Sequence, residues 1–437
     1  MKLRDFLEID YSLLFAATVL AAFGILFIYS SGVSSEGVVV STEYFRQIIW
    51  AAGGFVLALV LAMVNYRKFY NLTLYLYLGV LALLAYTCLF GYTVNGARAW
   101  LGVGSFGIQP SEFAKITTIL FLAWFLDSSR KTMNSFARFI LSCLIVFIPM
   151  GLVLIQPDFG TSLVFIPILL VMGFIAGISA RYILFLIAVI GLTVILLGLP
   201  LWQSYILGNT IPSLAILSNT RFITGTVLVL GLITAISVFG FLRYKKRYFY
   251  WIAYAAAVVI FSLGTSWLAQ KVLKDYQIMR LIVFLDPNVD PRGAGWNIIQ
   301  SITAIGSGGL WGRGYLQGTQ SHYQFLPQQS TDFIFSIFSE EWGFMGGLLV
   351  FGLFLVICLR LVKIMKSAVD PFGVYIAAGL AAMYIFHFLV NVGMTMGIMP
   401  ITGIPLLFMS YGGSAMLSAM IGVGLALSVF MRRHQHS

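Results

Sequence analysis

Charged residues are scarce in this sequence of 437 residues, of which 9% are charged and 60% are hydrophobic. Soluble domains carry about a quarter charged residues, so this composition excludes a water-soluble globular protein. Cysteine is also scarce, and Cys88, Cys143 and Cys358 each lie inside an apolar segment, which predicts small hydrophobic side chains rather than a disulfide or metal site. The sequence lacks a phosphate-binding loop, a Rossmann fingerprint, zinc-ligand spacing and a nucleophile elbow, which disfavours nucleotide-driven and hydrolytic chemistry.

Long apolar runs fill most of the chain, and a membrane-spanning helix needs roughly 17–25 such residues. Backbone polar groups in lipid must be satisfied within the segment, so the runs are predicted to be helices. The fold class predicted for residues 1–437 is an all-α polytopic membrane protein that forms a single integral membrane domain. Its twelve predicted spans are residues 12–30, 48–65, 70–90, 112–126, 139–155, 159–178, 182–201, 222–242, 248–269, 336–359, 371–396 and 404–431.

Lysine and arginine set the orientation, because they collect in the cytoplasmic loops of membrane proteins. The net charge of +11 could also indicate a nucleic-acid partner, but this rule explains the basic excess without one. With the N-terminus inside, most basic residues lie in cytoplasmic loops, and the cluster at 243–247 falls cleanly between two spans. We therefore predict an even number of spans, both termini in the cytoplasm, and residues 91–110, 155–158 and 286–332 on the outer face.

The longest polar interruption, residues 286–332, belongs to a large predicted outer loop over residues 270–335, before the tenth span. A long connection without periodicity is usually functional or disordered, and the aromatic residues of this one favour an ordered, functional loop. Asp290 precedes a proline, which is usually turn chemistry, but a carboxylate beside apolar spans can also act as a general base. His322 is the rival base. Arg292 follows Asp290 closely, and arginine forks bind phosphate oxygens.

Ionisable residues also lie inside the fourth span, where Glu112 and Lys115 are three residues apart and share a helix face. They could form a mutual ion pair that lowers the cost of burial, or they could face a cavity on a substrate path, and the two readings are compatible. Ser111 is predicted to cap this helix. Asp158, in a break between two spans, either caps the sixth helix or lines the same outer cavity.

Two further segments have an open interpretation. Residues 410–414 are rich in glycine and serine inside an apolar run, which predicts either close helix packing or a broken helix. Residues 202–221 are predicted to form a polar outer loop, followed by a helical hairpin over 222–269 that serves as scaffold.

A set of short motifs, in order along most of the chain, resembles the RodA/FtsW family, the shape, elongation, division and sporulation (SEDS) proteins, and is most like its elongation member, RodA. Family members usually have about ten spans, so 222–269 is expected to be an inserted hairpin added to a ten-span core. The motifs are residues 95–101 (NGARAWL), 109–115 (QPSEFAK), 156–161 (QPDFGT), 290–295 (DPRGAG), 300–301 (QS), 304–310 (AIGSGGL), 318–321 (GTQS), 325–327 (FLP), 331–335 (TDFIF) and 410–413 (SYGG).

The resemblance implies a peptidoglycan glycosyltransferase that polymerises lipid II at the outer face of the bacterial cytoplasmic membrane during cell elongation. It implies a class B penicillin-binding protein, a transpeptidase, as partner within the elongation machinery, and no nucleic acid. The family's essential loop aspartate falls on Asp290, and its paired span charges fall on Glu112 and Lys115. Positions expected to bind substrate fall on Arg46, Arg98, Asp158, Arg292, Gln300, Ser301, Gln320, Thr331 and Asp332.

These residues predict a reaction in which Asp290 removes the proton of a sugar hydroxyl while undecaprenyl diphosphate leaves. Arg98, Arg292 and Lys115 would offset the diphosphate charge. No resident cofactor or metal site is predicted, although a divalent cation, Mg²⁺ or Mn²⁺, between the diphosphate and Asp290 stays open. Two rival functions also stay open: a lipid II flippase or transporter, and a non-enzymatic membrane scaffold for a crosslinking transpeptidase. The intramembrane charges cluster toward the outer side, which favours surface chemistry.

Overall fold

The computed structural model describes residues 9–94, 96–103, 106–207, 220–273, 275–323 and 325–434. Helices dominate these residues, and one small sheet interrupts them. The helices are α1 (Tyr11–Ser31), α2 (Glu43–Met63), α3 (Thr73–Phe90), α4 (Pro110–Ser128), α5 (Ser135–Ile155), α6 (Phe159–Leu163), α7 (Phe165–Ile175), α8 (Ala180–Trp202), α9 (Thr220–Tyr244), α10 (Arg247–Val272), α11 (Asp275–Leu285), α12 (Ala294–Ser307), α13 (Thr319–His322), α14 (Ile334–Ser367), α15 (Pro371–Thr395) and α16 (Gly413–Met431). The strands are β1 (Tyr92–Val94), β2 (Ala97–Val103) and β3 (Phe106–Ile108).

Ten of the described helices are long and apolar enough to cross a membrane. Helical segments occupy all the predicted spans, and the all-α polytopic membrane fold class is confirmed. The two predicted spans outside these ten hold α4, which carries buried charged residues, and the short helices α6 and α7. The total number of spans and the side on which the termini lie stay predictions.

Two predicted spans are not continuous helices over the predicted residues. The last was predicted over 404–431, but α16 begins at Gly413 and residues 401–412 form no helix. Gly403 within that stretch has a φ of 73°, which a right-handed helix does not accommodate. The sixth, predicted over 159–178, is divided between α6 and α7, and Pro167 near the start of α7 cannot donate the hydrogen bond that would join them.

A three-stranded antiparallel sheet lies in residues 91–110, which the sequence predicted only as an outer loop. The strand order is β1-β2-β3, with Thr93 opposite Arg98 and Leu101 opposite Ile108. Successive side chains of a strand point to opposite faces, and in β2 Ala99 is buried while Arg98 is exposed. The sheet therefore presents Arg98 to solvent from a hydrogen-bonded backbone.

The long polar stretch before α14 is more regular than the sequence indicated. Residues 286–332 contain a 3₁₀ turn at Pro287–Val289 and the helices α12 and α13. The predicted hairpin over 222–269 corresponds to α9 and α10, which pack against each other. Of the predicted polar loop 202–221, Gln203–Leu207 forms a π-helical turn and residues 208–219 lie outside the described residues.

The chain divides into two compact units, Met1–Ile178 with Gln300–Ser437, and Ser179–Ile299. In the smaller unit α10 packs on both α8 and α9. Two polar contacts tie α10 to α8: the Tyr254 hydroxyl donates to the Arg181 carbonyl (3.0 Å) and the Ser262 hydroxyl donates to the Val189 carbonyl (3.2 Å).

The core of the larger unit lies around α15 and α16, the most enclosed of the ten long apolar helices among the described residues. Glycines on α16 allow close approach of its neighbours. A Cβ at Gly424 would lie 2.7 Å from the Ala58 carbonyl oxygen of α2, and one at Gly413 would clash with the Trp50 ring. Small residues at such interfaces are typical of helix packing in membranes.

Helix α14 breaks at Gly343, where φ is 66° and ψ is −163°. A break frees carbonyls before it and amides after it, and these need partners when buried. The segment 309–314 supplies them. The Arg313 and Gly314 amides donate to the Glu340 and Glu341 carbonyls (3.1 and 3.0 Å), and the Phe344 and Met345 amides donate to the Gly309 and Leu310 carbonyls (2.9 and 3.1 Å). The glycine-rich segment is thereby held to both halves of the broken helix.

Gly343→Ala should destabilise the protein. Its φ lies in the region that favours glycine, and a Cβ there would lie 2.7 Å from the Leu310 carbonyl oxygen. We expect a lower melting temperature in detergent than for Gly352→Ala, a control in the same helix where a Cβ meets nothing within 4 Å. Equal melting of the two variants would show that the break does not depend on glycine.

Candidate functional site

The charged pair predicted in the fourth span is present and deeply buried. Lys115 Nζ lies 2.8 Å from Glu112 Oε1, with side-chain exposures of 0% and 2%. The same ammonium lies 3.0 Å from His387 Nε2 on α15. Buried charges are tolerated when paired and hydrogen-bonded, so the pair links the start of α4 to the most enclosed part of the unit.

The carboxylate of Asp158 lies close enough to Glu112 and Lys115 for their charges to interact. It caps α6, one of the two predicted alternatives, by accepting from the Thr161 backbone amide (3.1 Å), and it also accepts from Gln109 Nε2 (2.7 Å). Burial raises the pKa of this carboxyl, and the hydrogen bonds from Thr161 oppose that shift. Three of the predicted site residues, Glu112, Lys115 and Asp158, are thus brought together.

The first turn of α4 is fixed by contacts other than the predicted one. Ser111 was expected to cap α4, which is wrong: Gln109 occupies the cap position with Pro110 at the first helical position, and the Ser111 hydroxyl has no partner among the described residues. A proline is already suited to the first helical position, so the cap lies two residues earlier than predicted. The Gln109 amide donates to the Ser414 hydroxyl (2.9 Å), and the Ser418 hydroxyl donates to the Glu112 carbonyl (3.0 Å). Helix α16 thereby orients Glu112 and Lys115.

One face of α15 is polar, which the sequence analysis missed. His387, Asn391 and Thr395 are spaced by four residues, so they lie on one face of the helix, and all three are buried. Asn391 Nδ2 donates to the Asp332 and Ile404 carbonyls (2.9 and 2.8 Å). The signal was visible in the sequence, because polar side chains at a four-residue spacing within an apolar span mark a functional or packed interior.

The same face of α15 holds other predicted substrate-binding residues. The Ser301 hydroxyl donates to the Thr395 carbonyl (2.6 Å), and it also lies 2.6 Å from the Ser336 hydroxyl. In this arrangement the Ser301 side chain is buried and hydrogen-bonded within the protein. Asp332 is only partly buried, and Gln300, one residue before Ser301, is partly exposed.

A second pair of buried carboxylates, Glu340 and Glu341, lies near the break in α14. Glu340 Oε1 accepts from the Thr319 hydroxyl and the Gln320 amide, both at 3.0 Å. Glu341 accepts from the Ser30 hydroxyl and from the Leu316 amide (3.1 Å). The predicted residue Gln320 is thus tied to Glu340 through its backbone. These carboxylates order the segment that follows the glycine-rich run.

The remaining predicted residues of the larger unit lie at its surface. Thr331 donates to the Gln328 carbonyl (3.2 Å) in a turn. Arg46 is partly buried in the first turn of α2, and Arg98 is exposed on β2. The Arg98 guanidinium is exposed and that of Arg46 is partly accessible, so both are suited to a negatively charged ligand.

Asp290 and Arg292 belong to the smaller unit. Asp290 follows the 3₁₀ turn, and its carbonyl accepts from the Gly293 and Gly295 amides (3.3 and 2.9 Å), which starts α12. Its carboxylate lies over Gly293, where a Cβ would lie 2.6 Å from Oδ1. Arg292 is exposed. Glycine at 293 therefore leaves room for the carboxylate, a requirement that the sequence motif contained but did not explain.

Comparison with known proteins gives consistent results. The family model described as cell cycle protein (FtsW, RodA and SpoVE) matches residues 11–207 and 206–435. The chain is 51% identical over 433 residues to peptidoglycan glycosyltransferase RodA of Treponema pallidum, covering 99% of this chain and 100% of that protein. It is 32% identical over 429 residues to peptidoglycan glycosyltransferase MrdB of Escherichia coli K12, covering 98% and 95%.

Two solved structures have the same fold. A chain of a peptidoglycan synthase complex that coordinates polymerization and crosslinking matches with a TM-score of 0.67 at 26% identity, covering 98% of this chain and 99% of that one. A crystal structure of the Thermus thermophilus rod-shape-determining protein RodA matches with a TM-score of 0.60 at 24% identity, covering 98% of both chains.

Glu112→Gln should destabilise the fold, because it keeps the side-chain volume while removing the carboxylate that is in direct contact with the buried Lys115 ammonium. Breaking a buried ion pair by changing one partner costs about 3–5 kcal/mol. We expect a lower melting temperature for the purified variant in detergent. The double variant Glu112→Gln/Lys115→Met removes both charges and should recover most of the loss. Unchanged melting of the single variant would contradict the role of the pair.

Proposed function

Since the chain belongs to the family of cell cycle proteins that includes FtsW, RodA and SpoVE, we propose that it is a peptidoglycan glycosyltransferase that polymerises lipid II into glycan strands during cell elongation. The observation that carries this is the full-length similarity to proteins named for that activity, together with Glu112, Lys115 and Asp158 in one buried cluster. The chain is a multi-pass protein of the cytoplasmic membrane, and we propose that the reaction takes place at its outer face.

In the proposed reaction, Asp290 acts as general base. It takes the proton of a sugar hydroxyl of the acceptor lipid II, whose oxygen then attacks the anomeric carbon of the growing chain. The bond from that carbon to undecaprenyl diphosphate breaks with inversion, and the diphosphate leaves with the electron pair. The partial burial of Asp290 beside the start of α12 supports this role, since a base must be both oriented and accessible.

The diphosphate leaving group needs positive charge at the moment of bond breaking. Lys115 is the buried candidate, and Arg98 and Arg292 are the exposed ones. An ammonium has three N–H donors, and the described residues supply two acceptors to Lys115, Glu112 Oε1 and His387 Nε2. One N–H is thus left for a phosphate oxygen. Glu112 orients Lys115 rather than contacting substrate.

A divalent cation, Mg²⁺ or Mn²⁺, would have to be held largely by the substrate. Among the described residues, no three His, Cys, Asp or Glu side chains lie together as a metal site. Asp290 and the diphosphate oxygens would be its ligands, and it would supply further charge to the leaving group. The proton transfer and orientation described above use the side chains of this chain alone.

We further propose that a class B penicillin-binding protein, a transpeptidase, works with this chain within the elongation machinery. The structural similarity to a member of a peptidoglycan synthase complex that coordinates polymerization and crosslinking supports such a partner. Substrate contacts are proposed at Arg46, Asp158, Gln300, Ser301, Gln320, Thr331 and Asp332, besides the three cations.

Asp290→Asn should abolish polymerisation while leaving the protein folded, because the amide cannot take the hydroxyl proton. The measurement is glycan formation from lipid II by purified protein, with and without its candidate partner. Asp286→Asn is the matched control, since Asp286 accepts from the Asn288 amide (2.9 Å) in a cap that asparagine can replace. Full polymerisation by Asp290→Asn would refute the assignment, and lipid II transport without polymer by the unaltered protein would favour a flippase.

Gly293→Ala should lower the polymerisation rate without unfolding the protein, because the new methyl group displaces the Asp290 carboxylate from its position. A small misplacement of a reacting group can cost about 100-fold in rate. Gly306→Ala near the end of α12, where a Cβ meets nothing within 4 Å, is the control and should keep the rate. Equal rates for the two variants would mean that the observed carboxylate position is unimportant for the reaction.

A further inference from the structure

We propose that His387 is a positioning residue for Lys115: a neutral imidazole that accepts a hydrogen bond from the ammonium and holds it in place for the leaving diphosphate. The proposal rests on the proposed function, in which Lys115 offsets the diphosphate charge. It is carried by two distances, 3.0 Å from His387 Nε2 to Lys115 Nζ and 3.0 Å from His387 Nδ1 to the Pro405 carbonyl oxygen.

The two contacts of the ring define its tautomer. A carbonyl oxygen only accepts, so Nδ1 must carry the proton. An ammonium only donates, so Nε2 must carry a lone pair. The hydrogen-bond partners thus assign the neutral Nδ1–H form, and His387 is 1% exposed, which disfavours a second charge beside Lys115.

A neutral acceptor suits this place better than a second carboxylate. Glu112 already balances the charge of Lys115, and Asp158 lies within range of both. Another carboxylate would leave the cluster more negative and would oppose the approach of a diphosphate. An imidazole fixes the direction of a second N–H of Lys115 without adding charge. Because the three N–H groups of an ammonium are tetrahedral, two fixed N–H groups also fix the direction of the third.

The ring itself is held by the non-helical segment 401–412. The Pro405 carbonyl fixes Nδ1, and the neighbouring Ile404 carbonyl accepts from Asn391 Nδ2 (2.8 Å), one helical turn further along α15. Two adjacent carbonyls are therefore anchored to two polar residues of one helix face. Rotation of the imidazole would break the contact with Pro405, so the lone pair on Nε2 stays directed at Lys115.

Two substitutions separate the contacts of the ring. Glutamine at 387 places its amide oxygen near the position of Nε2, which keeps an acceptor for Lys115 and loses the donor to Pro405. Asparagine places its amide nitrogen near the position of Nδ1, which keeps that donor and loses the acceptor. Each variant gives up one hydrogen bond, so a purely structural role predicts similar losses from both.

The test is the rate of lipid II polymerisation by the purified full chain, with kcat and KM measured separately and the melting temperature of each variant recorded. We expect His387→Gln to keep kcat within about threefold, and His387→Asn to lose about 10- to 100-fold in kcat at similar KM, the effect of losing one hydrogen bond to a charged group. Tyr384→Phe is the control, since Tyr384 also lies on α15 and its buried hydroxyl donates to the Ala419 carbonyl of α16 (2.7 Å) rather than to the Lys115 cluster.

Equal losses of kcat in the two His387 variants, or a greater loss in His387→Gln, would overturn the positioning role. Losses that follow the melting temperature in all three variants would also overturn it, because they would show a structural contribution alone. If the unaltered chain makes no polymer from lipid II, the proposed function fails. In that case the positioning proposal, which rests on that function, fails with it, whereas equal losses in an active protein overturn the positioning role alone.

Discussion

The buried ammonium of Lys115 is the interaction on which the rest of the larger unit depends. A full positive charge with no exposure to solvent has to be surrounded by acceptors, and these come from its own helix and from α15. That requirement fixes α4 against α15, and the contacts of Gln109 and Glu112 with α16 complete the arrangement. The core is therefore specified by polar groups at its centre, with small residues closing the apolar contacts around them.

Local sequence patterns predicted the features that depend on near neighbours. Glu112 and Lys115 are three residues apart, so any helix through them brings the side chains together, and the observed pair follows from that spacing. Asp158 precedes an apolar run and caps it for a similarly local reason. The helices themselves follow from the lipid environment, because an apolar run of sufficient length has few other ways to form all its backbone hydrogen bonds there.

The features that the sequence did not reveal depend on contacts between distant segments. His387 lies 272 residues from Lys115, and nothing near it in sequence indicates that partner. The break in α14 at Gly343 leaves backbone groups whose hydrogen-bond partners come from residues 309–314. The sheet at 92–108 was missed because its strands are short, and strand formation depends strongly on tertiary context. For Asp290, the sequence motif indicated the residue. The reason for glycine at 293 became visible only in the structure, where the Asp290 carboxylate occupies the space that a Cβ would take.

The junction between residues 309–314 and the broken helix is made by main-chain atoms on both sides. Its hydrogen bonds come from peptide groups, so substitutions of Leu310, Trp311 or Arg313 by residues other than proline leave the donors and acceptors unchanged. The Trp311 side chain is 77% exposed, so its replacement would not change how the backbone of residues 309–314 pairs with α14. Substitution of these side chains can therefore change the surface of the segment while the backbone pairing is kept. The side chains of this segment could then change while its backbone structure stays the same.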